Sequence, residues 1–575
     1  MSAGASSSAQ SPSLPSPPPC VLRWEGEYQE VQPQSAWTED IETIAQKLDP
    51  YLKLVLHRHF SFTTTEPISV RRLGQSSFNC TFFVEIGQEP VDENEQGLSS
   101  DEEESKHGND DDNDDEDNDD EDNDDEDNDD EGEDNNDEDS VDEYDEDVYD
   151  SDYSDEEPIE LTLGSSKDEV PGAKVSLPRR FVMRVSLPIL PGAKTESEVA
   201  TMRFVKHRTC IPVPRVYMYN ASSATNGLGY EWTLIELMPG RPYDILMERG
   251  DFTDNAIQRI GERIAEWMDS LSRIQFDKIG SLYMPSTPAP DGTVVVSDAD
   301  WDHPPDPVVG QLIHPHYTGD WRLEYEFPKG PFDNLQDYVL SRAEVYNREL
   351  HDPRQIKRAE VHRYEESDDE AAKARLEELL NEPVPQDWLR DQEAADGQDS
   401  NVTLRQYMAA SNVKGSRYRH EDLAKKQATI KELIETIRSR ISKTAKLSTF
   451  IQHWDLHSGN ILIDRYSGEP TALIDWECMI AFPLGIGWDD VPKIFNGSQE
   501  LREWAREDGY EIDEEDMSQR VKVEKLMLEA FIKRLGELGS SWLIAEGEEW
   551  KKATKGVLRA ARILYRLEEA IGGKA

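Results

Sequence analysis

The sequence predicts an α+β fold of two lobes, in which a β-rich first lobe precedes a helical second lobe. Two observations predict it: apolar runs with strand character lie before residue 240, and apolar residues at helical spacing dominate after it. A third observation is a strongly acidic stretch inside the first lobe, where the density of like charge prevents burial of a core. We therefore expect a folded body that is interrupted by a long disordered insertion.

The composition divides the chain into five parts. These are a disordered Ser/Pro-rich tail at 1–36, a first part of the first lobe at 37–90, the disordered acidic insertion at 91–170, the second part of the first lobe with its hinge at 171–239, and a helical second lobe at 240–575.

The first lobe begins with helical spacing of Ile41, Ile44, Leu48, Leu52 and Leu56. "ISVRRLGQSSFNCTFFVEI" then predicts a strand, a turn and a second strand. After the insertion, "RFVMRVSLP" predicts another strand, so we expect the insertion to be an extended hairpin loop within one sheet. "KTESEVATMRFVKHR" predicts a helix, and "PVPRVYMYN" and "YEWTLIELMPG" predict extended segments.

The second lobe has long segments with apolar residues three and four positions apart. "DNAIQRIGERIAEWMDSLSRI" and "IKELIETIRSRI" both show this spacing, which predicts helices that bury one face. Between them, "RYEESDDEAAKARLEELL" is charged and predicts a helical insertion on the solvated surface.

Charge and cysteine content limit the possible partners and compartments. The net charge is -59, and the stretch 101–157 supplies -36 of it (37 acidic residues and one Lys), which leaves -23 on the rest of the chain. An acidic body argues against nucleic acid as a partner. The four cysteines form no C-x-x-C pair, which favours a reducing compartment. With no secretory signal and no apolar stretch of membrane-spanning length, we expect a cytoplasmic protein without membrane contact, and a nuclear location stays open.

The segment "HWDLHSGN" at 453–460 carries the strongest chemical signal. Asp455 and Asn460 are separated as in the D-x-x-x-x-N catalytic loop of kinases, and Asp475 follows a short strand that should pair with "ILID". Two carboxylates and an amide oxygen on adjacent turns suit magnesium-assisted phosphoryl transfer. The alternative is ordinary turn chemistry, in which Asp and Asn only cap loops.

"HWDLHSGNILID" and "ALIDWE" resemble the signatures of the aminoglycoside phosphotransferase-like family, in particular its fungal branch within the kinase-like superfamily. "SSFN", "VMRVSLP", "IELMPGRP" and "AFPL" follow in the order of that branch, so the resemblance extends over about 40–575 without the insertions. It implies a two-lobed protein-kinase-like fold and an ATP- and Mg²⁺-dependent phosphotransferase that acts on a hydroxyl of a small-molecule acceptor.

The resemblance also implies roles for individual residues. Asp455 would be the catalytic base, Asn460 and Asp475 the metal ligands, Ser76, Ser77 and Phe78 the loop above the phosphates, Arg184 with Glu198 the phosphate-gripping pair, and the backbone of Glu236 and Met238 the adenine-binding hinge.

The sequence departs from the family pattern at two positions. Arg184 stands where kinases usually carry Lys, and Arg keeps the charge but not the compact geometry. Trp454 stands where bacterial relatives have Gly, so its ring either narrows the acceptor side or packs. Among the neighbours, His453 is expected to brace the loop, and His457 faces either the phosphate or solvent. Glu477 either assists the metal or makes a structural hydrogen bond.

Two other functional classes compete with the active kinase. A catalytically silent nucleotide-binding or interaction protein is compatible with Arg184, whereas a protein kinase is disfavoured because the D-F-G and A-P-E elements are missing. A calcium loop starting at Asp127 would have Gly132 and Glu138 in place, but its flanks lack helical periodicity. The acidic run is also suited to attract a basic protein partner.

Overall fold

The computed structural model provides the positions of the helices and strands. It describes residues 41–60, 67–75, 79–87, 159–162, 174–186, 190–248, 252–317, 322, 324–365, 367, 369–389, 402–410, 418–444, 448–483, 492–495, 497–499, 502, 514–540, 560 and 562–567. The predicted tail at 1–36, the proposed calcium loop and most of the acidic insertion lie outside these residues.

The first part of the chain is mainly β-structure. Its elements are α1 (Ile41–Phe60), β1 (Ile68–Gln75), β2 (Asn79–Ile86), β3 (Ile159–Thr162), β4 (Lys174–Leu177), β5 (Arg180–Ser186), α2 (Ala193–Arg208), β6 (Val216–Asn220) and β7 (Glu231–Glu236).

The second part is mainly helical. Its elements are β8 (Arg241–Pro242), α3 (Tyr243–Glu248), α4 (Asp254–Ser272), β9 (Leu282–Tyr283), β10 (Thr293–Val295), α5 (Asp298–Asp302), β11 (Val308–Val309), α6 (Leu335–His351), α7 (Pro353–Glu365), α8 (Glu370–Leu380), α9 (Leu404–Ala410), α10 (Leu423–Arg440), β12 (Phe450–Gln452), β13 (Ile461–Ile463), β14 (Pro470–Leu473), β15 (Ile480–Phe482) and α11 (Glu514–Leu538). Short 3₁₀ turns cover Pro315–Tyr317, Gln386–Leu389, His420–Asp422, Ser458–Asn460 and Lys493–Phe495.

An antiparallel sheet forms the first lobe, with the described strands in the order β1-β2-β5-β7-β6-β10. Strands β2 and β5 are neighbours, with Asn79 opposite Ser186 and Glu85 opposite Arg180. The long segment between them therefore connects two paired strands, which confirms the predicted hairpin. Strand β3 lies inside the range 91–170 and pairs with β4, so regular structure resumes before residue 170 and not after it as predicted.

Helices cover both faces of this sheet. The apolar residues of α1 at positions 44, 48, 52 and 56 are buried against one face, as their spacing predicts. The indole Nε1 of Trp232 in β7 donates to the hydroxyl of Tyr51 at 3.0 Å, which ties α1 to the centre of the sheet. On the other face, α2 buries Val199, Met202 and Val205 in a core that continues into the second lobe.

Paired helices build the second lobe. Helix α4 packs along α11, and α6 packs along α10. Their apolar positions are buried, as the helical spacing predicts. The charged stretch 363–380 contains the end of α7 and all of α8, and Asp369 caps α8 by accepting from the backbone N–H of Ala371. Leu379 and Leu380 are buried in a small cluster of their own, so this stretch is not wholly on the solvated surface.

The architecture confirms the predicted α+β class with a β-rich first lobe and a helical second lobe. Among the described residues, no helix is both long enough and apolar enough to cross a membrane.

Candidate active site

The catalytic-loop motif forms a compact turn between two short strand pairs. Strand β12 pairs with β15 before the loop, and β13 pairs with β14 after it. Asn460 ends the 3₁₀ turn, is 7% exposed, and donates from Nδ2 to the backbone oxygen of Asp455 at 2.9 Å. This bond joins the candidate base to a candidate metal ligand, and it leaves Asn460 Oδ1 as the oxygen for a metal.

Asp475 is placed by the hairpin that follows. Because Ile461 pairs with Leu473, the chain after β14 runs beside the catalytic loop. The N–H of Ile474 donates to the backbone oxygen of Asn460 at 3.0 Å, so the side-chain oxygen of Asn460 is not used by this bond. Asp475 has φ +60°, a left-handed conformation that residues other than Gly seldom adopt. Such backbone strain concentrates at functional sites.

His453 joins the two loops from the other side. Its Nε2 is 3.0 Å from the oxygen of Ile474, and its ring stands edge-on to Trp476 with centroids 4.9 Å apart. Burial lowers the pKa of His453 to about 4, so the imidazole is neutral at pH 7 and donates through Nε2. This contact fits the predicted bracing role.

Arg184 in β5 and Glu198 in α2 form the pair that the sequence predicts. One guanidinium nitrogen of Arg184 donates to Glu198 Oε1 at 2.5 Å, and the other donates to Asp475 Oδ1 at 2.7 Å. Burial by itself would lower the pKa of Arg184, but the carboxylates of Glu198, Asp475 and Glu477 outweigh it and raise that pKa. A single cation therefore connects the first lobe with the candidate metal ligand of the second lobe.

Sequence reasoning missed a second buried cation beside this pair. Lys194 lies in the first turn of α2, is 1% exposed, and lies 2.7 Å from Glu477 Oε2. The same carboxylate oxygen accepts from Asn79 Nδ2 at 2.7 Å. A lysine in the first turn of a helix is unfavourable, because its positive charge lies at the positive end of the helix dipole. In the sequence, this position of Lys194 indicates an acidic partner nearby. The sequence left open whether Glu477 assists the metal or makes a structural hydrogen bond, and the structure contains the hydrogen bond.

A third cation, Lys493, lies beside the candidate base and was also missed. Its Nζ is 3.1 Å from Asp455 Oδ1 and 5.8 Å from the centre of the Trp454 ring. Trp454 also packs against His314, with ring centroids 5.8 Å apart, so its ring is part of the packing around the base. His457 Nε2 is 3.7 Å from Asp455 Oδ2.

The remaining predicted residues belong to the loop above the phosphates and to the hinge. Ser76, Ser77 and Phe78 lie outside the described residues. The N–H of Glu236 donates to the oxygen of Arg215 at 2.8 Å, so this donor belongs to the sheet and an adenine contact would have to use the Glu236 carbonyl. Met238 lies between β7 and β8, outside the strands.

The donor set at Asn460 and Asp475 is compatible with magnesium. An amide oxygen and a carboxylate are hard ligands, and Mg²⁺ usually takes one or two carboxylates while phosphate and water complete its shell. Among the described residues, no group of three or more His, Cys, Asp or Glu could hold a metal without such partners. An amide oxygen and a carboxylate at this position would hold Mg²⁺ only together with phosphate or water ligands.

Known protein families and solved structures include matches to this chain. Residues 173–483, more than half of the chain, match the family described as "Phosphotransferase enzyme family", abbreviated APH. A solved relative, a putative aminoglycoside phosphotransferase from Ralstonia eutropha, is 11% identical with a TM-score of 0.28, over 91% of this chain and 97% of its own.

Two curated fungal relatives match over shorter stretches. "Altered inheritance of mitochondria protein 9, mitochondrial" from Candida tropicalis is 32% identical over 131 residues, which is 22% of this chain and 19% of the relative. A subtelomeric hrmA-associated cluster protein from Aspergillus fumigatus is 30% identical over 160 residues, or 27% of this chain and 28% of the relative. The chain thus spans less than a third of these relatives' length.

The names of the relatives contradict the predicted cytoplasmic location. The Candida tropicalis protein and its counterparts from Zygosaccharomyces rouxii and Komagataella phaffii are all named as mitochondrial proteins. Cysteine spacing carried the expectation of a reducing compartment, and it does not distinguish the cytoplasm from another reducing compartment.

Proposed function

The chain belongs to the phosphotransferase enzyme family, and we propose that it transfers the γ-phosphoryl group of ATP, with Mg²⁺, to a hydroxyl group of a small molecule. The observation that carries the proposal is the meeting of Asp455, Asn460 and Asp475 on two adjacent loops, with Arg184 reaching Asp475 from the other lobe. Positioning and electrostatic stabilisation are what phosphoryl transfer requires from a protein.

Each residue has a distinct task in this proposal. Asp455 accepts the proton of the attacking hydroxyl, and Lys493 orients its carboxylate. Asn460 and Asp475 would hold the metal, which would supply positive charge to the phosphates of the nucleotide. Arg184, positioned by Glu198, provides the cation for the α- and β-phosphates. Acidic surroundings favour an acceptor that carries an amine.

A catalytically silent nucleotide-binding protein is the second candidate. The contact between Arg184 and Asp475 favours it, because the guanidinium occupies an oxygen that a metal would also use. In an active enzyme a metal would share Asp475 with this guanidinium or displace it from one oxygen, and in a silent protein the ion pair can persist.

A thermal-shift titration with ATP, with and without Mg²⁺, tests nucleotide binding. A ligand that binds the folded state raises the melting temperature, so we expect a magnesium-dependent rise that Asp475→Ala abolishes. Asp464→Ala is the matched control, because this aspartate caps the turn between β13 and β14 without touching the site. The proposal fails if millimolar ATP produces no shift with or without magnesium.

Turnover distinguishes the two candidates. ADP release is measured across a panel of hydroxyl compounds, with and without amines, for the unaltered protein and for Asp455→Asn. Release that depends on an acceptor and disappears in the variant supports the kinase, whereas binding without release for any acceptor supports the silent protein.

We also propose a mitochondrial location, which rests on the names of the fungal relatives. Subcellular fractionation of the tagged full-length protein tests it, and recovery only in the cytosolic fraction would refute it.

A further inference from the structure

Glu477 belongs to the second lobe, but two of its closest polar partners belong to the first. It lies two residues after Asp475, on the loop between β14 and β15. Its Oε2 accepts from Lys194 Nζ of α2 at 2.7 Å and from Asn79 Nδ2 of β2 at 2.7 Å. The loop that carries the candidate metal ligand is thereby bonded directly to the first-lobe sheet and helix.

The first-lobe side of this link is itself held in place. Asn79 is fully buried, and its Oδ1 accepts from Ser186 Oγ at 2.7 Å and from Lys194 Nζ at 3.1 Å. Because Asn79 and Ser186 are paired across β2 and β5, the anchor is a rigid part of the sheet.

The second-lobe side is a strained loop. Asp475 and Cys478, on either side of Glu477, have φ +60° and +56°. Left-handed conformations of such residues persist only where the surroundings enforce them. Glu477 is the residue between them that reaches the other lobe.

Stability alone gives a weak reason for this arrangement. Burial of Lys194 and Glu477 removes both charges from water, and replacement of a buried ion pair by apolar residues is often neutral or stabilising. Because this buried polar link contributes little net stability, it is more consistent with a role in positioning the loop that carries Asp475.

We propose that Glu477 is a positioning residue that sets the place of Asp475 relative to the first lobe. It acts through Lys194 and Asn79, so that the metal ligand and the phosphate-binding cation Arg184 keep their spacing when a nucleotide enters. The proposal rests on the proposed function, since the place of Asp475 matters only if it holds the metal.

The link is tested first without nucleotide, by a double-mutant cycle of Glu477→Ala and Lys194→Met in urea unfolding. We expect the double variant to be much less destabilised than the sum of the single variants, because the first change already breaks the link. Additive effects would overturn the link.

The positioning role is tested by calorimetric binding of ADP with and without Mg²⁺. We expect Glu477→Ala to reduce the magnesium-dependent gain in affinity at least tenfold, while affinity without magnesium changes less than threefold. Glu477→Gln, which keeps a hydrogen-bond acceptor for Asn79 and Lys194, should restore most of the gain. Asn79→Ala tests the same link from the first lobe if Glu477→Ala does not fold.

Glu349→Ala is the matched control, because this carboxylate is equally buried and paired with Arg322 at 2.9 Å in the second lobe. It should destabilise the protein and leave the magnesium-dependent gain in ADP affinity unchanged. If Glu477→Ala keeps the full magnesium-dependent gain in ADP affinity, the inference is overturned and the proposed function still stands. The absence of any gain in the unaltered protein would overturn the proposed function and the inference with it.

Discussion

Replacement of Arg184 by Met tests the centre of the proposed site. The change leaves Glu198, which is 1% exposed, without the cation 2.5 Å from its Oε1. Removal of one partner from a buried ion pair costs roughly 3–5 kcal/mol. The loss at Asp475 adds little, because its side chain is 21% exposed and water can replace the guanidinium. Most of the cost therefore comes from Glu198.

The expected loss is large enough to measure by calorimetry and by urea unfolding. At about 1–2 °C per kcal/mol for a folded body of more than 300 residues, Arg184→Met should melt roughly 5 °C lower. Arg184→Lys should be intermediate, because a single ammonium keeps the charge but lacks the two separate nitrogens with which Arg184 reaches Glu198 and Asp475. Both variants should bind MgATP more weakly.

Arg354→Met is the matched control. This arginine also bridges two carboxylates, Asp352 at 2.8 Å and Glu324 at 2.5 Å, but it lies in the second lobe among residues that no part of the proposed site uses. It should lower stability and leave MgATP affinity unchanged. The reasoning is refuted if Arg184→Met unfolds within about 1 kcal/mol of the unaltered protein, since that is below the cost of an unpaired buried carboxylate.

Three further changes probe the base, a buried acid and the helix packing. Asp455→Asn should lower turnover at least about 100-fold while the nucleotide dissociation constant stays within about twofold, because it removes the proton acceptor only; undiminished ADP release would contradict the assignment. Burial raises the pKa of Glu231 from 4.5 to about 7, so the folded state holds its proton more tightly and loses stability as pH rises between these values. Glu231→Gln should therefore gain about 3 kcal/mol relative to the unaltered protein between pH 4 and pH 8 in urea unfolding, and a difference that does not change with pH would disprove the coupling. Gly261→Ala should destabilise by about 1–3 kcal/mol, because a methyl group there overlaps the backbone oxygen of Met527 in α11; an unchanged melting temperature would contradict this close packing of α4 and α11.

Local patterns predicted those features that depend on neighbours in the chain. The apolar spacing in α1 and α4 identified their buried faces, and the charge density after β2 identified the insertion between paired strands. The motif spacing correctly predicted that Asp455 and Asn460 lie close together, because a single turn can connect residues five positions apart.

Local patterns failed where a contact depends on packing between the lobes. Asn79 and Glu477 are 398 positions apart, and Lys493 is 38 positions beyond Asp455, so no periodicity relates the partners. The sequence could not show that the N–H of Glu236 donates to the oxygen of Arg215, because this bond depends on the register of β7 against the chain before β6.

The sequence by itself determined the two-lobed class and the spacing of the candidate catalytic loop, because periodicity and short spacings are local properties of the chain. The pairing of Arg184 with Glu198 was implied only by the resemblance to a known family. Only the tertiary structure decided that Arg184 also reaches Asp475, and that Glu477 connects the metal loop to Lys194. The physical reason is that a buried charge takes its partner from whichever element packs against it, and that choice is made by the whole fold.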